Sequence, residues 1–428
     1  MRVRAITIGQ IVPFLYENES LESFLEEKLE NFQNFLDDFT ETLENEYGLK
    51  VQSRRLASQP LFSYEEQRIY SKNLKDTLNK IDVQFELMQN IIKAYNFDYF
   101  ACCSMLADTL KDFSVFESLL LKSFPKFLQK YPMLFTSVLA ASSKNGVNLA
   151  ALKARSYVIK NLSTSDPFNN LQFCVSANVK PNTPFFPSAY HFSDEPAFSI
   201  ALEMADEVAR TFRGASSLVE AKNALVEKFD NIYEGLTEVS EKFAKKYEIE
   251  FAGIDFSPAP FPKLTRSIGY AVEKLNIDYF GAHGSLLPIA LIKRCIPKKE
   301  KVIGFSGFMM PVMEDYTISK RLAENKFTLD TLLLFSTMCG TGLDCVPLPG
   351  DITKRELFYI LLDMCTLSII LDKPLTARLM PIPGKKAGDD IDFDFEYFAS
   401  TKVIEFKRLE KENLKDLFNG KEKFFHFY

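Results

Sequence analysis

The stretch FSTMCGTGLDCVPLPG, residues 335–350, places Cys339 between an apolar run and two glycines, Gly340 and Gly342. Backbone amides freed by such a turn can stabilise a thiolate or bind an anion. Cys339 is therefore a candidate nucleophile, and Gly340 and Gly342 are candidates for holding a substrate oxygen. A buried cysteine filling a tight turn is the plainer alternative. No nucleophile-elbow pattern (GxSxG) occurs there, and no histidine partner is fixed by spacing.

Four more segments carry chemistry-bearing residues beside glycines. In GIDFSPAPFPKLTRSIGY (253–270), Asp255 ends an apolar run, and Arg266 and Ser267 open an expected helix, whose first turn can hold an anion. In FGAHGSL (280–286), His283 is one of 3 histidines and titrates near neutrality, as a general acid or base must. In GFSGFMMPVMEDYTI (304–318), Glu314 and Asp315 could ligate a divalent cation, or stand as first-turn acids of the next helix. In ARLMPIPGKKAGDDIDFDF (377–395), Arg378, Lys385 and Lys386 suit an anionic substrate, and Asp389 suits Mg²⁺ or Ca²⁺. The last segment completes neither a calcium loop nor a P-loop, so no nucleotide cofactor is indicated.

The elements that must position these groups alternate between strand and helix. VRAITIG (3–9) reads as a buried strand. Leu29, Phe32, Leu36, Phe39 and Leu43 then repeat at helical spacing, ahead of Gly48 as a C-terminal cap. A strand over 49–56 completes an opening βαβ unit. Further strands are expected over 99–104, 171–179, 250–256, 301–310 and 375–380. Helices are expected over 85–95, Ala197 to Phe212, 217–247, 328–338 and 353–371, the last opened by a Thr353/Glu356 capping box. This alternation predicts an α/β protein.

Composition narrows the function classes. The 428 residues are 46% hydrophobic, enough for a large core. A formal charge of -6 offers no global field for nucleic acid. The 40 Phe and 17 Tyr, with no Trp, read as core filler. The 7 cysteines show neither zinc-site nor disulfide spacing, so a reducing, cytoplasmic setting is expected. No signal-peptide pattern and no 18-residue apolar run is present, so no membrane partner is expected.

MRVRAITIG, TPFFPSAYH, GIDFSPAP, RSIG, GFSGFMMPVMED, STMCGTGLDCVPLPGD and PLTARLMPIPGKKAGD together resemble the DUF711 family, also called UPF0210, from residue 1 to about residue 400. The resemblance implies one α/β domain over 1–402 and a C-terminal extension over 403–428. It further implies a ten-stranded α/β barrel of the pyruvate formate-lyase-like type, in which an active cysteine sits on an interior loop; Cys339 is the nearest candidate. The glycyl radical motif of those enzymes is missing, since the C-terminal region offers only Asn419-Gly420-Lys421. Neither a glycyl radical domain nor its chemistry is expected, and the family carries no settled activity.

Two readings follow. The first is a metal-assisted enzyme on a small anionic or phosphorylated metabolite. Glu314, Asp315 and Asp389 would hold Mg²⁺ or Ca²⁺, and Arg266, Ser267, Arg378, Lys385 and Lys386 would hold the substrate. Cys339, His283 and Asp255 would do the chemistry. The second is a non-catalytic small-molecule binder. A homodimer is the expected assembly for either.

Overall fold

A computed structural model describes residues 1–12, 19–62, 73–110, 112–410 and 422–427. Its strands are β1 (Arg2–Gly9), β2 (Arg54–Ala57), β3 (Tyr99–Leu106), β4 (Leu134–Ser142), β5 (Gly146–Asn148), β6 (Phe173–Ala177), β7 (Ala197–Glu203), β8 (Glu250–Ala259), β9 (Gly342–Pro349) and β10 (Leu375–Ile382), with short strands β11 (Asp390–Ile391), β12 (Thr401–Lys402) and β13 (Phe424–Phe425). The helices are α1 (Glu19–Asn45), α2 (Leu74–Ala94), α3 (Val115–Lys130), α4 (Leu149–Ser165), α5 (Ala205–Gly214), α6 (Leu218–Tyr247), α7 (Ile268–Glu273), α8 (Leu286–Cys295), α9 (Tyr316–Ala323), α10 (Leu329–Ser336) and α11 (Lys354–Ile370).

The fold is α/β around a large mixed sheet, in the order β8-β7-β1-β2-β3-β4-β6-β10-β9. Strands β1, β2, β3, β4 and β6 run parallel to their neighbours, as do β7 with β8 and β10 with β9. The two groups meet antiparallel at β1/β7 and at β6/β10. The expected opening βαβ unit is present, with Ile6 opposite Arg54 and Gly9 opposite Ala57.

Strand side chains divide between two apolar environments, as the period of two requires. In β4, Val138 and Ala140 join the main core under the helices, whereas Phe135 and Leu139 belong to smaller clusters on the other face. Both faces are covered, so the strands read as nearly continuous apolar runs. The α1 stripe Leu29, Phe32, Leu36, Phe39 and Leu43 is wholly buried. Helix α11 opens with the expected capping box of Thr353 and Glu356.

Two sequence expectations are corrected. The helix expected from Ala197 is strand β7, and helix begins only at Ala205. All seven residues of AFSIALE are buried between β1 and β8, and Phe198, Ile200 and Leu202, in the main core, alternate with Ser199, Ala201 and Glu203, the period of two of a strand. The strand expected over 301–310 is an irregular extended segment. Its Val302 bridges Ile254 of β8, while Phe308 bridges Cys339 and Pro311 bridges Asp344 of β9. The buried Asp255 carboxylate interrupts it by accepting the Phe305 and Ser306 amides at 2.7 and 3.0 Å. Gly304 has φ +67, and a Cβ there would lie 2.3 Å from Asp255 Oδ2. The reading of the sequence made no assignment for α3, β4 or α4. In the C-terminal extension, β13 pairs antiparallel with β5, and residues 411–421 lie outside the described residues. Among the described residues, no helix is long and apolar enough to cross a membrane.

The irregular segment reaches the Cys339 turn through two facing glycines. A Cβ on Gly307 would fall 2.6 Å from the Gly340 Cα, and one on Gly340 would fall 2.8 Å from the Gly307 Cα. Backbone cannot yield as a side-chain tip can. We expect Gly307→Ala to lower stability in urea unfolding by about 1–3 kcal/mol. Gly235→Ala, in α6 with nothing within 4 Å of its Cβ, should be neutral or stabilising by up to about 1 kcal/mol. Equal effects of the two substitutions would contradict the packing described.

Candidate active site

Charged side chains inside apolar strands must find partners, and here they find one another. Arg4 of β1, Arg378 of β10 and Glu314, just before α9, meet at a cavity of about 170 Å³. Arg4 Nη2 donates to Glu314 Oε2 at 2.7 Å. Arg378 Nη2 donates to Glu314 Oε1 at 2.8 Å, and its Nε donates to Asp344 Oδ1 at 2.6 Å. The Cys345 thiol also donates to Glu314 Oε1, at 3.2 Å. On the other side, Arg4 Nη1 lies 3.6 Å from Glu203, which accepts from Arg266 Nε at 2.7 Å.

Burial pushes the Glu314 carboxyl up, but Arg378 and Arg4 overcome it and hold the group below its usual range. Asp344 goes the other way. Burial raises it, Arg378 opposes, and the Glu314 charge raises it further. Two neighbouring carboxyls driven in opposite directions are the usual mark of an acid–base pair. Burial also pushes the Cys345 thiol well up, which keeps it protonated.

Arg55 of β2 lines the same cavity and has no carboxylate partner among the described residues. Its Nε donates to Ser53 Oγ at 2.9 Å. Its guanidinium lies 4.9 Å from the Phe186 ring centroid and 5.9 Å from that of Tyr99, within cation–π range. Burial, and after it the Arg4 charge, lower its pKa to about 10, so it remains charged at neutrality. Arg4, Arg266 and Arg378 pair with Glu203, Glu314 and Asp344, and Arg55 adds one positive charge beside them. The exposed Asp98, which also lines the cavity, acts on Arg55 with the opposite sign. The remaining walls are largely aromatic, with Phe135, Phe185, Phe305, Phe395 and Tyr397.

Of the residues singled out in the sequence, Arg378 and Glu314 belong to this cavity. Arg266 belongs to the network behind it, stacked 3.9 Å from the Phe261 centroid. Cys339 is buried beside the cavity-lining Thr341. Its Sγ accepts from the Thr341 and Gly342 amides, each at 3.3 Å, and donates to the Phe308 carbonyl at 2.9 Å. The Gly340 amide donates to the same carbonyl at 2.7 Å.

The others lie elsewhere. Asp315 caps α9 and accepts from Ser267 Oγ at 2.6 Å and from the Ile268 amide at 2.6 Å, tying α7 to α9. Asp255 holds the 301–312 segment. Burial pushes both of these aspartates up to about 6. His283 is exposed in the turn before α8. Lys385, Lys386 and Asp389 are exposed after β10, where the Lys386 amide donates to Asp389 at 2.7 Å.

Glu314, Asp344 and Cys345 each offer a ligand atom, all within 4.8 Å of one another, a spacing that could hold a metal ion. This set replaces the expected trio of Glu314, Asp315 and Asp389. Both Glu314 oxygens are already engaged, by Arg4, Arg378 and the Cys345 thiol, and Asp344 Oδ1 by Arg378; the two guanidinium charges oppose a cation. A thiol donor also suits Zn²⁺ better than the expected Mg²⁺ or Ca²⁺.

The reading of the sequence missed Arg4, Arg55, Asp344 and Cys345 as site residues, and the aromatic walls. A signal was present, since arginines at buried strand positions are rare unless paired or functional.

Breaking one side of the network leaves a buried charge uncompensated. Glu314→Gln should cost about 3–5 kcal/mol in urea unfolding. Arg55→Ala should cost under about 1 kcal/mol, because it removes a cation that Arg4 already opposes. A destabilisation by Arg55→Ala as large as that by Glu314→Gln would mean that Arg55 is structural.

The comparisons with known proteins agree with the resemblance seen in the sequence. The chain is 28% identical to a UPF0210 protein of Pyrobaculum aerophilum, over 96% of this chain and 91% of the relative. It is 31% identical to one of Pyrobaculum arsenaticum over 59% of this chain and 58% of that protein. A UPF0210 protein of Methanocaldococcus jannaschii is 25% identical over 91% of this chain and 88% of its own length. The family model described as uncharacterised ACR (DUF711) matches residues 1–400. The chain thus belongs to the DUF711 family, known also as UPF0210.

Proposed function

We propose that this chain is an enzyme of acid–base chemistry on a small anionic metabolite, which Arg55 holds in the cavity. The observation that carries the reading is Arg55 itself. It is a charged guanidinium on a cavity wall, set against Phe186, with no carboxylate in ion-pair contact among the described residues; Glu314 and Asp98 act on it only at longer range. A ligand anion completes the charge balance. Asp344 is the group that moves a proton, since its environment raises its affinity for one while Glu314 stays ionised beside it. Arg378 orients Asp344 through the 2.6 Å bond and steadies charge that develops there.

The same reading places the cavity inside a barrel. We take β1, β2, β3, β4 and β6 as five parallel staves. The other five are β7, β8, segment 301–312, β9 and β10. The bridges at Val302, Phe308 and Pro311 support this, because they join the segment to β8 on one side and to the β9 region on the other. This is the ten-stranded arrangement implied by the family resemblance, with one domain over 1–402. Seven free, buried thiols fit a reducing compartment, hence the cytoplasm, and a dimer is the assembly we expect.

A second reading keeps the metal. The Glu314, Asp344 and Cys345 spacing favours it, and metal entry would require Arg378 to swing away. Elemental analysis after equilibrium dialysis against Zn²⁺ separates the two. A stoichiometric ion lost in Cys345→Ser would establish the metal reading.

The test of the main reading is a metabolite screen by thermal shift, followed by mass spectrometry of incubated hits. Arg55→Ala should abolish the stabilisation by the hit. Asp344→Asn should keep it and slow turnover by about 10²-fold or more. Binding unaffected by Arg55→Ala would place the ligand elsewhere. Binding with no product on long incubation would make the chain a binder rather than an enzyme.

A further inference from the structure

The chemistry of the cavity narrows the ligand beyond "anionic". We infer that it is a compact monocarboxylate with a flat, single-ring body, an inference that rests on the anion-binding reading above.

Three observations carry it. The first is charge. While Asp344 is ionised, Arg4, Arg55, Arg266 and Arg378 exceed Glu203, Glu314 and Asp344 by one positive charge, and the other acid lining the cavity, Asp98, is exposed to solvent, which screens its charge. A carboxylate neutralises it. A phosphate monoester brings close to two negative charges at neutral pH and leaves one buried without a partner, which is costly.

The second is donor geometry. Arg55 spends Nε on Ser53 and has no protein acceptor for its two terminal amino groups among the described residues. Those amino groups offer paired, parallel N–H bonds to the two oxygens of a carboxylate. By contrast, Arg4 and Arg378 have already committed donors to Glu314 and Asp344.

The third is size and wall chemistry. A cavity of about 150 Å³ takes up one benzene molecule. The roughly 170 Å³ here admits a ring with its carboxylate. Beside the guanidinium stand the rings of Tyr99 and Phe186, with Phe135 against both. Ring faces and edges favour a flat, polarisable body over a puckered one.

The experiment is a titration of the whole purified chain with four probes, read by calorimetry and by thermal shift. The probes are benzoate, cyclohexanecarboxylate, phenyl phosphate and inorganic phosphate. Benzoate should bind at one site, about tenfold or more tighter than each of the others. Arg55→Ala should abolish that binding, and Arg55→Lys should weaken it about tenfold or more, because an ammonium lacks the paired fork. Phenyl phosphate or inorganic phosphate binding more tightly than benzoate, and lost in Arg55→Ala, would overturn the carboxylate assignment and leave the anion site standing. Cyclohexanecarboxylate matching benzoate would overturn the flat-ring assignment. If no probe binds in an Arg55-dependent way, both this inference and the anion-binding reading fail.

Discussion

Glu314 sits between two arginines that arrive from opposite ends of the chain. Arg4 is near the start of β1, Arg378 is in β10, and the carboxylate joins them at 2.7 and 2.8 Å. A buried carboxylate cannot stay ionised without such partners, and the arginines cannot lie in apolar strands without it. This mutual requirement draws β1, β10 and the chain before α9 to one point. Its neighbours in sequence extend the constraint. Asp315, the next residue, gathers the N-termini of α7 and α9, and segment 301–312 lies against the Cys339 turn through Gly307 and Gly340. The cavity is the space that this arrangement leaves open.

In the proposed function, structural charge is separate from functional charge. Arg4, Arg266 and Arg378 are spent on holding carboxylates. Arg55 is not, and it keeps its charge in spite of burial and the nearby Arg4. In the proposed reading, that cation is the group that meets the ligand. The same contrast divides the acids. Glu314 is fixed as a carboxylate by two arginines, whereas Asp344 has one arginine and a like-charged neighbour. The first suits a framework, and the second suits proton transfer. Metal binding would have to reverse the first role before it could use the second.

The α/β class, the opening βαβ unit and α11 were legible in the sequence because each rests on local periodicity or capping. Leu29 to Leu43 mark a helix face, and Thr353 with Glu356 mark a helix start. Strand β7 was legible in the alternation of Phe198, Ile200 and Leu202 with Ser199 and Glu203, and the helix expected from Ala197 ran across it. Segment 301–310 was misread because Asp255, some fifty residues earlier, takes its amides. The site shows the same limit. Glycine-rich turns drew attention to His283, Lys385, Lys386 and Asp389, which are exposed. The cavity is built from residues of distant strands whose meeting is set by the sheet order. Arg378 and Glu314 fell in both sets, while Arg4 stands in the apolar run of β1 and Arg55 in the stretch VQSRRLASQ, neither beside a glycine-rich turn.

The central claim is that the cavity presents a cation awaiting an anion. Anomalous diffraction from crystals soaked in sodium iodide tests it most directly, because iodide reports where the protein holds negative charge without presupposing a substrate. The account predicts an iodide peak within hydrogen-bond reach of the terminal nitrogens of Arg55, absent from Arg55→Ala crystals, with the bonds from Arg4 and Arg378 to Glu314 intact. No peak at Arg55, or an intrinsic metal peak among Glu314, Asp344 and Cys345 with Arg378 displaced, would contradict it.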